Sequence, residues 1–485
     1  MGRICWLKGA QQRVTWLVAA GDEARRIIAF TFTLDDGLTF QCYPVMSCKI
    51  AIHASVRSLS CLVFCACCSA LNLRAGALED YIRRPDTNYS WKQIDQRQTN
   101  GSTVTHLELT SQNWRDHIWT HTVQVVRPET VRNPGIAFLF ITGDGSGRSS
   151  LGLLKTLSDR AGAIAAVITK VPNQPLYDGR KEDALIAYTF DQYLRTGDET
   201  WPLLFPMTRS AVRAMDAVHA FAAKEYQQKI EKFVVSGASK RGWTTWLTAA
   251  ADSRVIAIAP MVIDMLNMKA QMQWAEKVYG KQSEKIRDYT ELHLQEKMDD
   301  PAMVKLRGWV DPYSYRQRYN LPKLLLLGTN DPYWTVDSLR HYWNELPEPK
   351  LIFQTPNAGH DLGGGKEATQ TLAAFFQMIA DGHELPRMEW QFSAENPAEL
   401  SVKVNRPARA IRLWTADSAD RDFRDEQWTS RDLPIKPGSS IGKAVIEKPA
   451  SGYRACLGEV TLTSPDGHEY KLSTEARVTP DNIRP

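Results

Sequence analysis

At 485 residues the chain is long enough for two or more domains, and 43% hydrophobic with 24% charged residues is a soluble globular composition. A formal net charge of only +4, with no basic tract, excludes a surface built for nucleic acid or for an anionic membrane. No Cys/His spacing suits zinc, so neither a metal nor a cofactor is expected.

The cysteines are unevenly placed. Cys5, Cys42, Cys48, Cys61, Cys65, Cys67 and Cys68 precede Cys456, the one cysteine of the remaining chain. A disulfide framework is therefore not expected in the folded body. Near the start, Lys49 and Arg57 follow Met46, an apolar run covers 59–71, and Ala75-Gly76-Ala77 follows. That is a charged region, a hydrophobic region and a small-x-small cleavage site in order. The apolar run is too short for a membrane span. These features predict translation from Met46, a signal peptide over 46–77, a mature chain beginning near Leu78 and export to the periplasm or beyond. Residues 1–45 are then a mis-assigned extension. A lipoprotein reading through Cys67 is weaker, because Phe64-Cys65-Ala66 fits a lipidation box poorly.

Residues 79–100 are polar and read as an entry segment. Alternating apolar and polar residues at 104–109 and 118–126 predict a two-stranded meander with one buried face. Continuous apolar runs then take over, as strands buried on both faces require. They lie at 136–141, 163–169, 233–235, 255–263, 324–328 and 351–353, separated by helical patterns at 182–194, 208–224 and 368–380. Residues 265–320 offer helices and no strand, and read as an insertion over the active-site face. Alternating strands and helices predict an α/β fold with a doubly wound, mostly parallel sheet over 79–385. From 386 to 485 the period changes to two, predicting an all-β sandwich.

Ser239 is the most informative residue. It follows an apolar run in Phe233-Val234-Val235-Ser236-Gly237-Ala238-Ser239-Lys240-Arg241-Gly242 and precedes a helical stretch. A strand-to-helix turn of this kind lifts a hydroxyl clear of the backbone. The pattern departs from G-x-S-x-G, because Arg241 holds the last glycine position and Gly242 comes one residue later. A nucleophilic serine needs a base and an acid that orients the base. Asp331, after the 324–328 strand, and His360, after the 351–353 strand, follow Ser239 in the order such sheets use. All three fall at the carboxyl edge of the sheet, where open α/β sheets bind ligands. Asp264 is the competing acid. An oxyanion requires two N–H donors. The Lys240 amide and the glycine-rich loop of Gly143, Asp144, Gly145 and Ser146 are the candidates. That loop lacks the P-loop pattern. Tyr177, Asp178, Glu182, Asp183, Tyr333 and Trp334 are candidate substrate contacts, the acids for a substrate ammonium. Trp243 and Trp246 read as core.

Gly237-Ala238-Ser239-Lys240-Arg241-Gly242-Trp243, Trp201-Pro202-Leu203-Leu204-Phe205-Pro206-Met207, Val310-Asp311-Pro312-Tyr313-Ser314-Tyr315 and Asn357-Ala358-Gly359-His360 resemble the PhoPQ-activated pathogenicity-related family over about residues 79–480. The resemblance implies an exported α/β-hydrolase with a C-terminal β-sandwich. It also implies kinship with autocrine proliferation repressor proteins and dipeptidyl-peptidase-like activity. The Gly237-x-Ser239-x-x-Gly242 spacing is also similar to glucuronoyl esterases, within the motif alone. The expectation is a serine hydrolase with peptidase-like acyl hydrolysis of a peptide substrate, and a small carboxylic (carbohydrate) ester as the alternative. A non-catalytic binding protein that contacts a protein partner through its sandwich is the competing class.

Overall fold

The computed structural model describes residues 13–19, 27–33, 76–99, 101–393, 398–435 and 438–481. Residues 46–75, which carry most of the expected signal peptide, lie outside the described residues. Met1–Leu73 and Arg74–Pro485 are two separate compact units. In the first, Arg13–Ala19 (β1) pairs antiparallel with Ile27–Thr33 (β2), Arg13 opposite Thr33.

The second unit is built on a nine-stranded sheet. Ser90–Thr99 (β3), Ser102–Trp114 (β4) and His117–Pro128 (β5) form an antiparallel meander at one edge. Six parallel strands continue the sheet: Ile136–Ile141 (β6), Ile164–Ile168 (β7), Lys232–Ala238 (β8), Val255–Met261 (β9), Lys323–Gly328 (β10) and Lys350–Thr355 (β11). Their spatial order is β11-β10-β9-β8-β6-β7-β5-β4-β3. From β6 the chain winds outward to β7 on one side and to β8 on the other. Ser239 therefore emerges beside the switch in winding direction, where crevices open in doubly wound sheets.

Both faces of the parallel strands are covered, which is why they read as unbroken apolar runs. Along β6, Ala137, Leu139 and Ile141 face one buried cluster while Ile136 and Phe138 face another. The first cluster takes in Glu182–Thr196 (α3), Leu204–Tyr226 (α4) and Lys240–Ala251 (α5). The second takes in Leu151–Ala161 (α2) and Lys366–Ala380 (α9). This is α/β-hydrolase architecture. Met268–Tyr279 (α6), Arg287–Thr290 (α7) and Pro301–Val310 (α8), joined by 3₁₀ turns, make up the expected insertion.

Residues 79–100 are not a plain entry segment. Ala77–Arg83 (α1) buries Leu78, Tyr81 and Ile82, and β3 forms the outer edge of the sheet. β3 carries almost no apolar residue because nearly all of it is exposed, and it is held by backbone pairing to β4. A polar edge strand also discourages pairing with other chains.

The C-terminal strands form two antiparallel sheets. One runs Met388–Phe392 (β12), Ala398–Val404 (β13), Ile441–Ile446 (β16). The other runs Thr429–Asp432 (β15), Ala410–Ser418 (β14), Tyr453–Thr463 (β17), Glu469–Ser473 (β18), with Arg477–Thr479 (β19) also paired to β17. Leu400, Val402, Val460 and Leu472 share one buried cluster with Leu372 and Phe376 of α9.

Candidate active site

Ser239 is forced into its place. It leaves β8 at φ 58°, ψ −125°, a conformation disfavoured for a residue with a Cβ. Such strain persists only where the surroundings over-determine it, as at a sharp strand-to-helix turn. Here the Ser239 amide donates to Met261 O on β9 at 2.9 Å, and its carbonyl accepts from Trp243 at 3.0 Å. The displaced glycine has a steric cause. A Cβ on Gly242 would meet Ile263 Cγ2 at 2.7 Å and Met261 O at 2.9 Å, so α5 could not cross β9 this closely.

Ser239 Oγ lies 2.8 Å from His360 Nε2, and His360 Nδ1 lies 2.7 Å from Asp331 Oδ2. With the carboxylate accepting, Nδ1 carries the proton and Nε2 faces the serine as acceptor. The other Asp331 oxygen accepts from the Tyr333 amide at 3.0 Å. The Tyr333 ring covers the imidazole, with centroids 4.4 Å apart and planes inclined by 31°. β10 and β11 are adjacent and parallel, with Gly328 opposite Thr355, so the loops carrying acid and histidine emerge side by side. Asp264, the competing acid, turns elsewhere. It is buried and accepts from Tyr342 Oη at 2.6 Å. Burial, with Asp331 nearby, pushes its carboxyl up to about 7 against the pull of the tyrosine.

The two basic residues after Ser239 are not free charges. The Arg241 guanidinium donates to both oxygens of Glu182, at 2.6 and 2.7 Å, and to Val171 O at 2.6 Å. Partial burial alone would raise the Glu182 carboxyl, but this fork outweighs it and holds the group at about 2. Lys240 Nζ donates to Asp183 Oδ2 at 2.7 Å, and Tyr289 Oη donates to Asp183 Oδ1 at 3.0 Å. Glu182 and Asp183, candidates for binding an ammonium, thus have their charges matched within the protein. Asp178 is exposed and pairs with Arg180 at 3.0 Å. Tyr177 packs among Trp114, Tyr188 and Trp201.

A cleft of about 800 Å³, counted out to open solvent, holds Ser239, Lys240, Asp183, Tyr333 and Trp334. Its wall is apolar, with Ile263, Met265, Met268, Met272 and Ile286. Trp243, expected in the core, is 4% exposed yet also faces this cleft, its indole N–H donating to Val310 O at 2.5 Å. The methionines escape sequence reasoning because nothing in their spacing separates a cleft wall from a helix core. Of the glycine-rich loop, Asp144 and Gly145 line a different, polar cleft with Lys170, Asn173 and Gln174. Gly143 O accepts from the Lys170 amide at 2.7 Å. A Cβ on Gly143 would lie 2.3 Å from Arg241 Nη2, so only glycine lets the guanidinium pass beneath the loop. Lys240 begins α5, where an N–H has no intrahelical acceptor. Among the described residues no cluster suits a metal ion.

The chain matches the PhoPQ-activated pathogenicity-related protein family over residues 78–424. Autocrine proliferation repressor protein A of Dictyostelium discoideum is 30% identical over 453 residues, spanning 84% of this chain and 91% of that protein. An acetyl xylan esterase from Paenibacillus sp. R4 superposes with a TM-score of 0.45 at 14% identity, over 61% of this chain and 90% of its own. Acetyl xylan esterase 1 from Thermoanaerobacterium sp. gives 0.43 at 16% identity, over 62% and 91% respectively. With the family match over residues 78–424 and a relative 30% identical across 84% of this chain, the chain belongs to the PhoPQ-activated pathogenicity-related protein family.

Proposed function

We propose that this protein is a serine hydrolase that transfers the acyl group of an ester or amide to water. The observation that carries the reading is the unbroken line of hydrogen bonds from Ser239 Oγ through His360 to Asp331, at 2.8 and 2.7 Å. Ser239 Oγ attacks the acyl carbon while His360 Nε2 takes the hydroxyl proton. Asp331 holds the imidazole in the required tautomer and stabilises the cation that forms. The Lys240 amide, at the positive end of α5, faces the developing oxyanion. Of residues 143–146, Gly143 is the source we propose for the second donor, since β6 is the neighbour of β8 and Gly143 lies against Arg241, whereas Asp144 and Gly145 line the other cleft. The leaving group departs with the proton from His360. Water then attacks the acyl-enzyme by the same relay, releasing the acid and restoring Ser239.

The apolar cleft beside Ser239 favours an uncharged, apolar acyl portion. Recognition of a charged peptide N-terminus is less favoured, because Arg241 and Lys240 already neutralise Glu182 and Asp183. A fluorophosphonate probe is expected to label the native protein and not Ser239→Ala. Hydrolysis of p-nitrophenyl butyrate is expected to exceed that of an aminoacyl p-nitroanilide. A folded, monodisperse native sample that resists the probe removes the serine mechanism. Faster turnover of the anilide removes the ester preference alone.

A further inference from the structure

The C-terminal sandwich reaches back to the two loops that carry Asp331 and His360. Asn330 directly precedes Asp331, and its Nδ2 donates to Phe423 O at 3.2 Å and Glu426 O at 2.8 Å. Asn357 stands three residues before His360 at φ 57°, a left-handed conformation that asparagine tolerates. Its Nδ2 donates to Trp428 O at 2.9 Å, and its Oδ1 accepts from the Trp428 amide at 2.7 Å. One side chain thus reads both polar groups of a single residue in the sandwich. The two loops are also tied to each other. The Asn357 amide donates to Thr329 Oγ1 at 3.0 Å, Thr329 Oγ1 donates to Asn330 Oδ1 at 2.7 Å, and the Asn330 amide donates to Ala358 O at 2.9 Å.

The sandwich segment making these contacts is anchored. Phe423 and Trp428 are each 1% exposed, within a buried cluster that includes Tyr453, Leu457 and Val478. Arg421, also buried, donates to Asp337 Oδ2 at 2.9 Å and lies 4.8 Å from the ring centre of Trp274 on α6. The same helix presents Met268 and Met272 to the cleft. Arg424 covers Tyr279 at 4.1 Å, whose hydroxyl donates to Trp334 O at 3.1 Å. One segment, 421–428, therefore touches the acid loop, the histidine loop and the back of the cleft wall.

We propose that the sandwich is a positioning element of the active site: residues 421–428 hold the Asp331 and His360 loops in register through Asn330 and Asn357. The net contribution of a single hydrogen bond to global stability is modest. A displacement of about 1 Å at a reacting group can cost ~10²-fold in rate. The contacts are to main chain, so the geometry of the sandwich backbone is transmitted without regard to its side chains. The catalytic consequence rests on the acyl-transfer reading above; the geometric one does not.

The test uses the full chain with Asn330→Ala and Asn357→Gly, the glycine keeping the left-handed backbone while deleting the amide. Both are expected to slow fluorophosphonate labelling of Ser239, and kcat on p-nitrophenyl butyrate, by roughly 10- to 100-fold. KM is expected within about twofold of native and the melting midpoint within a few degrees. Proton NMR supplies a readout independent of turnover: the downfield His360 Nδ1–H resonance of the bond to Asp331 is expected to weaken or shift in both variants. Labelling rates within twofold of native, or an unchanged resonance, overturn the proposal. A native protein that shows the resonance but resists the probe defeats the hydrolase reading, and the resonance in the variants still decides the positioning role. If either variant melts near room temperature, the other decides.

Discussion

Two aspartates stand close to the histidine loop, and their surroundings give them different work. Asp331 has both oxygens engaged, one by His360 and one by the Tyr333 amide. Asp264 is shut away with Tyr342, its carboxyl pushed up to about 7 by burial. The sign of its effect on stability follows by linkage. In the unfolded chain the group ionises near 3.8, so between that value and about 7 the folded state binds the proton more tightly. The proton's contribution is fully present below about pH 3.8 and is lost as pH rises through about 7. Asp264→Asn, which keeps an acceptor for Tyr342 without charge, should therefore raise the melting midpoint most at pH 8 and least near pH 4. The difference is on the order of a few kcal/mol. Equal gains at both pH values would contradict the buried, proton-holding carboxyl. The same variant should be labelled by a fluorophosphonate at the native rate, whereas Asp331→Asn should lose roughly 10⁴-fold in turnover by favouring the wrong imidazole tautomer.

At the scale of elements, the junction beneath Ser239 is a knot of four segments. The start of α3 supplies Glu182, the start of α5 supplies Arg241, and the loop after β6 supplies Gly143, with Val171 O completing the guanidinium's shell. Arg241→Met removes the guanidinium fork and leaves Glu182 with Gln174 at 2.6 Å and Lys240 at 3.7 Å, so it is expected to cost ~1–2 kcal/mol, less than breaking a fully buried pair because the carboxylate is partly exposed and keeps these partners. The native contribution of Glu182 is present above about 4.5 and lost as pH falls through about 2, so the variant's deficit should narrow in acid. Adding Glu182→Gln should recover part of the loss, read from urea midpoints of the single and double variants. An additive double variant would refute the pairing.

This knot also marks the limit of what the sequence makes legible. The six parallel strands announce themselves, because a strand covered on both faces must be apolar along its length. The serine turn, the order of Asp331 and His360, and their common sheet edge follow from local chemistry and topology. The Arg241–Glu182 fork joins residues 59 apart, and Asn357 meets Trp428 across 71. Pairings at such distances leave no local periodicity. β3 escapes for the opposite reason: an exposed edge strand has no apolar face to show. Trp243 illustrates a third limit, since one side chain can be both buried and part of a cleft wall.

Between α1 and β19 the hydrolase part and the sandwich meet in a common buried cluster, and this bears on how they unfold. Interfaces between domains of one chain are often modest and polar, and domains joined that way move and melt separately. Here Leu372 and Phe376 of α9 sit in one buried cluster with Leu400, Val402, Val460 and Leu472 of the sandwich. Polar seams run along the same junction: the Gln354 amide donates to Ser473 Oγ at 2.9 Å, and Gln354 Oε1 accepts from the Ala476 amide at 2.8 Å. Arg421 and Asp337, both nearly fully buried, join across it as well. Separating the two parts would expose the apolar residues of α9 that pack on the sandwich and open the Arg421–Asp337 pair. Neither part should persist once the other has unfolded. Calorimetry of the chain from residue 76 onward should therefore give one transition, with calorimetric and van't Hoff enthalpies in agreement. Loss of Ser239 labelling should coincide with it, because the loops of Asp331 and His360 are bonded to the sandwich. Two resolved transitions, or a sandwich that melts while labelling survives, would show the halves to be energetically independent and would leave Asn330 and Asn357 as contacts without consequence for the site.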